Sequence, residues 1–165
     1  MLVLGVDPGT AITGYGLVRE EEGGLTLVDC GVITTPAGQP LPERLQTIYC
    51  GLADVARKYQ PQQAAVEELF FSRNVRTALS VGHARGVALL ALVDAGLAIH
   101  EYKPLEIKQA ITGYGGADKQ QVQEMVRLLL NLDHVPQPDD AADAVAVAVC
   151  HIHSARMTAL IEDAG

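Results

Sequence analysis

No apolar run in this 165-residue chain approaches the roughly 18 residues that a membrane span requires, so no transmembrane segment is expected. The amino terminus lacks both a basic region before "LVLGV" and a small-residue cleavage site, so no signal peptide is expected either. Cysteine is scarce: Cys30, Cys50 and Cys150 are odd in number and far apart. That pattern fits neither a disulfide framework nor a zinc site and suits a reducing, cytoplasmic compartment. Internal repeats, low-complexity segments and a recognisable Ser/His/Asp arrangement are also missing. The chain has the length of one domain with a real core.

Basic charge is scarce overall, with a net charge of -8, which argues at first against nucleic acid. Its distribution changes that reading. Residues 73–119 carry a net +2, from Arg73, Arg76, Arg85, Lys103, Lys108 and Lys119 against four acids, and the remainder carries -10. A mildly basic middle is either a local phosphate-binding face or an uneven solvated surface.

Apolar periodicity supplies the elements. Strands are expected over 2–7, 13–20 and 25–35, with "EEGG" as the turn of a hairpin between the last two. Short connections make these three antiparallel neighbours. A helix is expected over 41–59, a strand over 64–70, a long helix over 74–96 and a strand over 97–103. A short helix opens at Pro104, and further helices cover 118–132 and 138–155, the first with Asp118 at its start. The fold class is therefore α/β: a mixed five-stranded sheet, its first three strands antiparallel, with helices on both faces. One domain over 1–157 and a flexible tail over 158–165 are expected.

The carboxylates carry the chemistry. Asp7 ends the first strand, at the edge where open α/β sheets bind ligands. "VEELF" puts Glu67 or Glu68 near the end of an interior strand, and alternation allows only one of them to face the site. "DDAAD" places Asp140 and Asp143 on one helix face in a first turn that favours ionised carboxylates. Four such groups brought together would repel one another, and divalent Mg²⁺ or Mn²⁺ would remove the conflict. Two hard ions can then activate water and stabilise the leaving oxygen of a phosphodiester.

Competing readings exist for each residue. Asp7-Pro8-Gly9 has the composition of a turn. One of Asp139 and Asp140 is expected to cap the helix, and Asp139, directly after Pro138, takes that role. "DPGTAITGYG" resembles the phosphate turn of actin-like and sugar-kinase ATPases, but the duplicated domain and second phosphate loop of those proteins are absent from the sequence. "GYGGADK" (113–119) is either a phosphate nest beside Lys119 or a turn between helices. His151 and His153 in "CHIH" are two apart and diverge on a helix. Cys50 and Cys150 are expected as buried hydrophobes.

Four blocks, "GVDPGTAITGYGLV", "AVEELFFSRNVRTALSVGHARGVALL", "EYKPLEIKQAITGYGGADKQQVQEMVRLLL" and "DDAADAVAVAVCHIH", closely resemble the RuvC family of Holliday junction resolvases, in the same order and to about residue 155. The resemblance implies a ribonuclease H-like fold and a homodimer that makes paired symmetric nicks in four-way junction DNA with Mg²⁺. It implies Asp7, Glu67, Asp140 and Asp143 as catalytic and metal-binding acids, and it selects Glu67 over Glu68. It makes Phe70 a residue that stacks on junction bases and places Lys108 and Lys119 near the DNA backbone. Arg73 and Arg76, just after the Glu67 strand, are placed for phosphates or unpaired bases. Only the family implies a branch-migration complex of the RuvA and RuvB type. Asp139 and the strong acidity depart from the family pattern. The helix over 74–96, with Leu79, Gly86, Leu89, Leu90 and Val93, suits a dimer seam or packing within one subunit. The alternatives from other classes are a related nuclease acting on structured RNA and a non-catalytic junction-binding module.

Overall fold

In the computed structural model, which describes residues 1–68 and 75–163, the chain forms a five-stranded sheet flanked by five helices. In chain order the strands are β1 (Leu2–Asp7), β2 (Ile12–Glu21), β3 (Gly24–Thr34), β4 (Gln63–Glu67) and β5 (Ala98–Tyr102). The helices are α1 (Leu41–Tyr59), α2 (Val75–Asp94), α3 (Pro104–Thr112), α4 (Lys119–Leu129) and α5 (Asp139–Asp163). The sheet order is β3-β2-β1-β4-β5. The β1–β2 and β2–β3 pairs are antiparallel, while β1–β4 and β4–β5 are parallel. This is the mixed sheet expected from the sequence. Gly23, at φ 108°, turns the β2–β3 hairpin.

Two cores follow from strand alternation. Leu2, Leu4, Val6, Ala64 and Val66 pack on α1 and α2. Val3, Ala65 and Val18 pack with α3, α4 and α5 on the other face. Asp7 continues the Val3–Gly5 side of β1, and Glu67 continues the Ala65 side of β4. Both acids therefore leave the sheet on the face that α5 covers, and alternation alone puts Glu68 outside this pair.

α5 is the central helix of that face. Its 24-residue stretch Asp139–Glu162 is long and apolar enough to cross a membrane, but half of its most apolar window is buried inside the fold, as in the core helix of a soluble domain. It continues through residues 158–163, within the segment 158–165 expected as a tail, and Leu160 and Ile161 are exposed there.

Two local expectations need correction. The first helical carbonyl of α5 belongs to Pro138, which accepts N–H bonds from Ala141 and Ala142 at 2.9 and 3.2 Å. Asp139 is thus the first helical residue and not the cap; its side chain is engaged elsewhere. Cys50 is exposed on the outer side of α1, whereas Cys150 is buried as expected.

Candidate active site

Glycines decide how close α5 comes to the sheet. A Cβ at Gly5 of β1 would stand 2.0 Å from the Ala144 carbonyl oxygen, and one at Gly14 of β2 would stand 1.9 Å from that of Asp140. Gly16 is similarly covered by Val145. The β1–β2 register sets Gly14 directly opposite Asp7. The first turn of α5 therefore lies on bare backbone beside Asp7, which no side chain at these positions would permit.

That contact brings the sequence-predicted acids together. Burial is the largest influence on Asp7, followed by the charges of Glu67, Asp143 and Asp140, and together they push its pKa up to about 7. No hydrogen bond among the described residues relieves the Asp7 carboxylate. Glu67 is raised by burial and by Asp143, with Lys108 and Lys119 pulling it back. Asp143 is raised by burial, against a hydrogen bond donated by Lys119.

Lys119 answers part of this negative charge. Its ammonium lies 2.9 Å from Asp143 and 3.3 Å from Asp139. Asp139 also accepts a bond from Gln123 at 3.2 Å, and these contacts hold its carboxyl below the ordinary range. The residue expected as a cap is instead a counter-charge for Lys119.

The donor set consists of carboxylate oxygens, which suit hard divalent cations. Asp7 is raised by the charges of Glu67, Asp143 and Asp140, and Glu67 by that of Asp143, a concentration of negative charge that such cations would neutralise. In the present side-chain arrangement, no three His, Cys, Asp or Glu residues among those described stand close enough to hold one ion. Lys119 lies on Asp143 Oδ2 in this arrangement, so ligation of an ion through that oxygen would compete with the ammonium.

Basic side chains flank the acids on two sides. A cavity of about 190 Å³ is bounded by Glu67, Asp143, Lys108 and Lys119, with Ile107 and Val122 as its apolar wall. On the other side, Asp140 borders an open groove of about 520 Å³ shared with Arg44, Arg76, Thr10 and Ser80. Sequence reading missed Arg44, whose Nε donates to Thr35 Oγ1 at 2.8 Å. A lone basic residue on α1 gives no local signal; only the fold brings it beside Arg76. Phe70 and Arg73 lie outside the described residues.

The remaining motifs take structural positions. Gly113 ends α3 in the left-handed region at φ 74°, as a turn between helices requires. His151 is buried, its Nδ1 2.7 Å from the Tyr102 hydroxyl and its Nε2 2.6 Å from Gln63 Oε1. His153 Nδ1 lies 3.0 Å from the Ala110 carbonyl oxygen.

Comparison with known proteins identifies the family. A family model described as crossover junction endodeoxyribonuclease RuvC matches residues 3–151. The chain is 61% identical over 155 residues to the crossover junction endodeoxyribonuclease RuvC of Chloroflexus aurantiacus, covering 94% of each chain. Its fold matches T. thermophilus RuvC in complex with a Holliday junction substrate with a TM-score of 0.91, at 38% identity and 96% coverage of both chains. A yeast mitochondrial Holliday junction resolvase shares the fold alone, at TM-score 0.67 and 12% identity over 92% of this chain and 77% of that one. The acids gathered by α5 thus sit in a chain that belongs to the RuvC family of crossover junction endodeoxyribonucleases.

Proposed function

We propose that this chain resolves four-way DNA junctions as a homodimer, each subunit hydrolysing one phosphodiester with Asp7, Glu67, Asp140 and Asp143 as its metal-binding catalytic acids. One observation carries the assignment: Asp7, at a half-buried strand end, has its pKa pushed up to about 7, first by burial and then by the charges of Glu67, Asp143 and Asp140. A fold maintains such a conflict at a cost, and the usual reason is a ligand that resolves it.

A pair of Mg²⁺ ions, with Mn²⁺ as a substitute, would supply activation of water and neutralisation of the leaving oxygen. The chain's own side chains do the rest. Asp7 and Glu67 are fixed on adjacent parallel strands, so their backbones cannot drift apart. Asp143 faces the Lys108–Lys119 cavity, and Asp140 faces the Arg44–Arg76 groove. A DNA strand crossing the acids would have phosphates held on both sides of the scissile bond. Lys119 would exchange Asp143 for a phosphate oxygen as the strand arrives. Phe70 and Arg73 are proposed for junction bases and phosphates from the resemblance alone.

The dimer reading is supported by α2. Val75, Leu79, Leu90 and Val93 are exposed, and nothing packs within 4 Å of a Cβ built at Gly86. At spacings of three and four these residues share one helix face. Leu89 departs from the expected seam: it is half-buried and packs on the inner core. Two copies joined through α2 about a two-fold axis would direct their sites at two strands of like polarity. A single domain, a cytoplasmic location and association with a branch-migration complex complete the reading.

The test is cleavage of an end-labelled synthetic four-way junction, with a linear duplex and a structured RNA as controls. Paired symmetric nicks in Mg²⁺, absent with chelator and absent for Asp7→Asn, are expected. Wild-type-rate cleavage by Asp7→Asn, or preference for RNA, would overturn the assignment.

A further inference from the structure

The inner side of α2 carries polar contacts that neither core packing nor dimer contact requires. Most of that side consists of small apolar residues, with Ala84, Ala88 and Ala91 buried. Two polar residues interrupt it: Ser80 meets the side chain of Thr10 in the loop that leaves Asp7, and Arg85 reaches the backbone carbonyl of Glu67. The Ser80 carbonyl accepts a bond from Thr10 Oγ1 at 2.6 Å, and the Ser80 hydroxyl lies 2.8 Å from the same atom. Thr10 is buried three residues beyond Asp7, and its own carbonyl accepts from Thr35 Oγ1 at 2.5 Å. Five residues further along the helix, the Arg85 Nε donates to the Glu67 carbonyl at 3.4 Å while its terminal nitrogen pairs with Glu101 of β5. The Arg85 side chain is only 17% exposed.

Removing a guanidinium from water is costly, and an apolar residue of similar volume would often stabilise the fold as well or better. What the pair between the largely covered Arg85 and the exposed Glu101 does provide is direction. A planar fork bound at two points fixes the end of β4 relative to β5 and α2. Ser80 does the same for the loop that leaves Asp7. One helix thus grips the chain beside two acids with its inner side and presents the exposed apolar stripe with its outer side.

We infer that α2 is a strut through which dimer formation sets the positions of Asp7 and Glu67, with Ser80 and Arg85 as its positioning residues. This rests on reading the carboxylates as catalytic acids and α2 as the seam. Arg85 acts through the backbone of Glu67, away from the cavity and the groove assigned to DNA; Ser80, at the edge of the Arg44–Arg76 groove, acts on the loop after Asp7 through Thr10. A displacement near 1 Å at a reacting group can cost about a hundred-fold in rate, so loss of either grip should appear in kcat before it appears in binding.

The test uses the full chain. Arg85→Met, Arg85→Lys, Ser80→Ala and Glu101→Gln are compared with wild type for oligomeric state by sedimentation, Mn²⁺ affinity by calorimetry without DNA, thermal unfolding, and kcat and KM on a four-way junction. Expected for Arg85→Met is a dimer with unchanged KM, kcat lower by about ten-fold or more and weaker Mn²⁺ binding. Arg85→Lys should recover only part of the loss, because it restores the charge without the fork. Leu79→Asp together with Leu90→Asp should give a folded monomer whose Mn²⁺ affinity is also reduced. Wild-type kcat and Mn²⁺ affinity in both Arg85→Met and Ser80→Ala would overturn the inference, as would a monomer that binds Mn²⁺ as tightly as the dimer. Losses that merely track the folded fraction would overturn it too. If wild type itself fails to nick the junction, the underlying reading fails first; if wild type nicks and the variants match it, only the strut fails.

Discussion

α5 buries two polar clusters against the same face of the sheet, and they are built on opposite terms. Around His151 every group has a partner. Gln63 Oε1 can only accept, so His151 Nε2 carries the proton, Nδ1 accepts, and the Tyr102 hydroxyl donates. The His100 ring stacks on it at 4.3 Å. Around Asp7 the neighbours are acids; Lys119 pairs directly with Asp143 and Asp139 and offsets Asp7 and Glu67 only in part, so the conflict remains. A satisfied buried network specifies the fold, whereas a half-buried cluster of like charges, open to a cavity between lysines, awaits a ligand.

The largest expected effect breaks the acid side of this comparison. Asp7→Asn should lower junction cleavage beyond the roughly hundred-fold typical of losing a supporting group around a metal, with junction binding in a gel-shift assay unchanged. Without metal at pH 8 the same variant should melt higher than wild type, because it removes a repelled charge. Next comes Gly14→Val, whose Cβ would stand 1.9 Å from the Asp140 carbonyl oxygen. Overpacking there should cost about 1–3 kcal/mol in denaturant unfolding. Cleavage should fall by more than the folded fraction, since the first turn of α5 must move off the sheet.

His151→Leu tests the other cluster. It strands Tyr102 and Gln63, at about 1–3 kcal/mol for each buried group left unpaired. Cleavage per folded molecule should stay at the wild-type level; a larger loss would mean that the histidine cluster supports the site.

The smallest effect is in pH, where the two clusters act with opposite sign. Asp7 rises from 3.8 to about 7 on folding, mainly through burial and then through its acidic neighbours. The folded state therefore binds the extra proton, and metal-free stability falls as pH rises from about 4 to 7. His151 drops from 6.5 to about 4, through burial and then through His100. Its contribution is full above 6.5 and is lost as pH falls toward 4. Melting curves of metal-free Asp7→Asn should show a carboxylate slope weaker than wild type, left by Glu67 and Asp143, beside the full histidine slope, and those of His151→Leu should show the carboxylate slope without the histidine one. Parallel slopes in the two variants would contradict the assignment.

Much of this was legible in the sequence because it depends on local pattern. The helix over 41–59 and the strand over 2–7 stand at the expected bounds, since apolar period and flanking prolines fix both. The mixed sheet with its three antiparallel strands follows from elements whose edges could be read, whereas the placing of β4 and β5 beside β1 could not be read from them. What could not be read depends on distance in space. "TGYG" reads as a strand, but nothing in it says that α5 would rest on Gly14 and Gly16. Glu67 was separable from Glu68 only by resemblance until Ala65 and Val66 were seen to face different cores. Asp139 has the chemistry of a cap, yet Lys119 lies across the site and binds it. Arg44, Ser80 and Arg85 are ordinary helix residues until the fold supplies Thr35, Thr10 and Glu67.

The most direct measurement is a crystal structure of the chain soaked in Mn²⁺, read by its anomalous signal. The expected result is manganese held by Asp7 together with Glu67 and Asp143, with the Lys119 ammonium moved off Asp143. Saturating Mn²⁺ with no anomalous peak at these carboxylates, and Lys119 still on Asp143, would contradict the central claim that this fold gathers acids to be completed by cations.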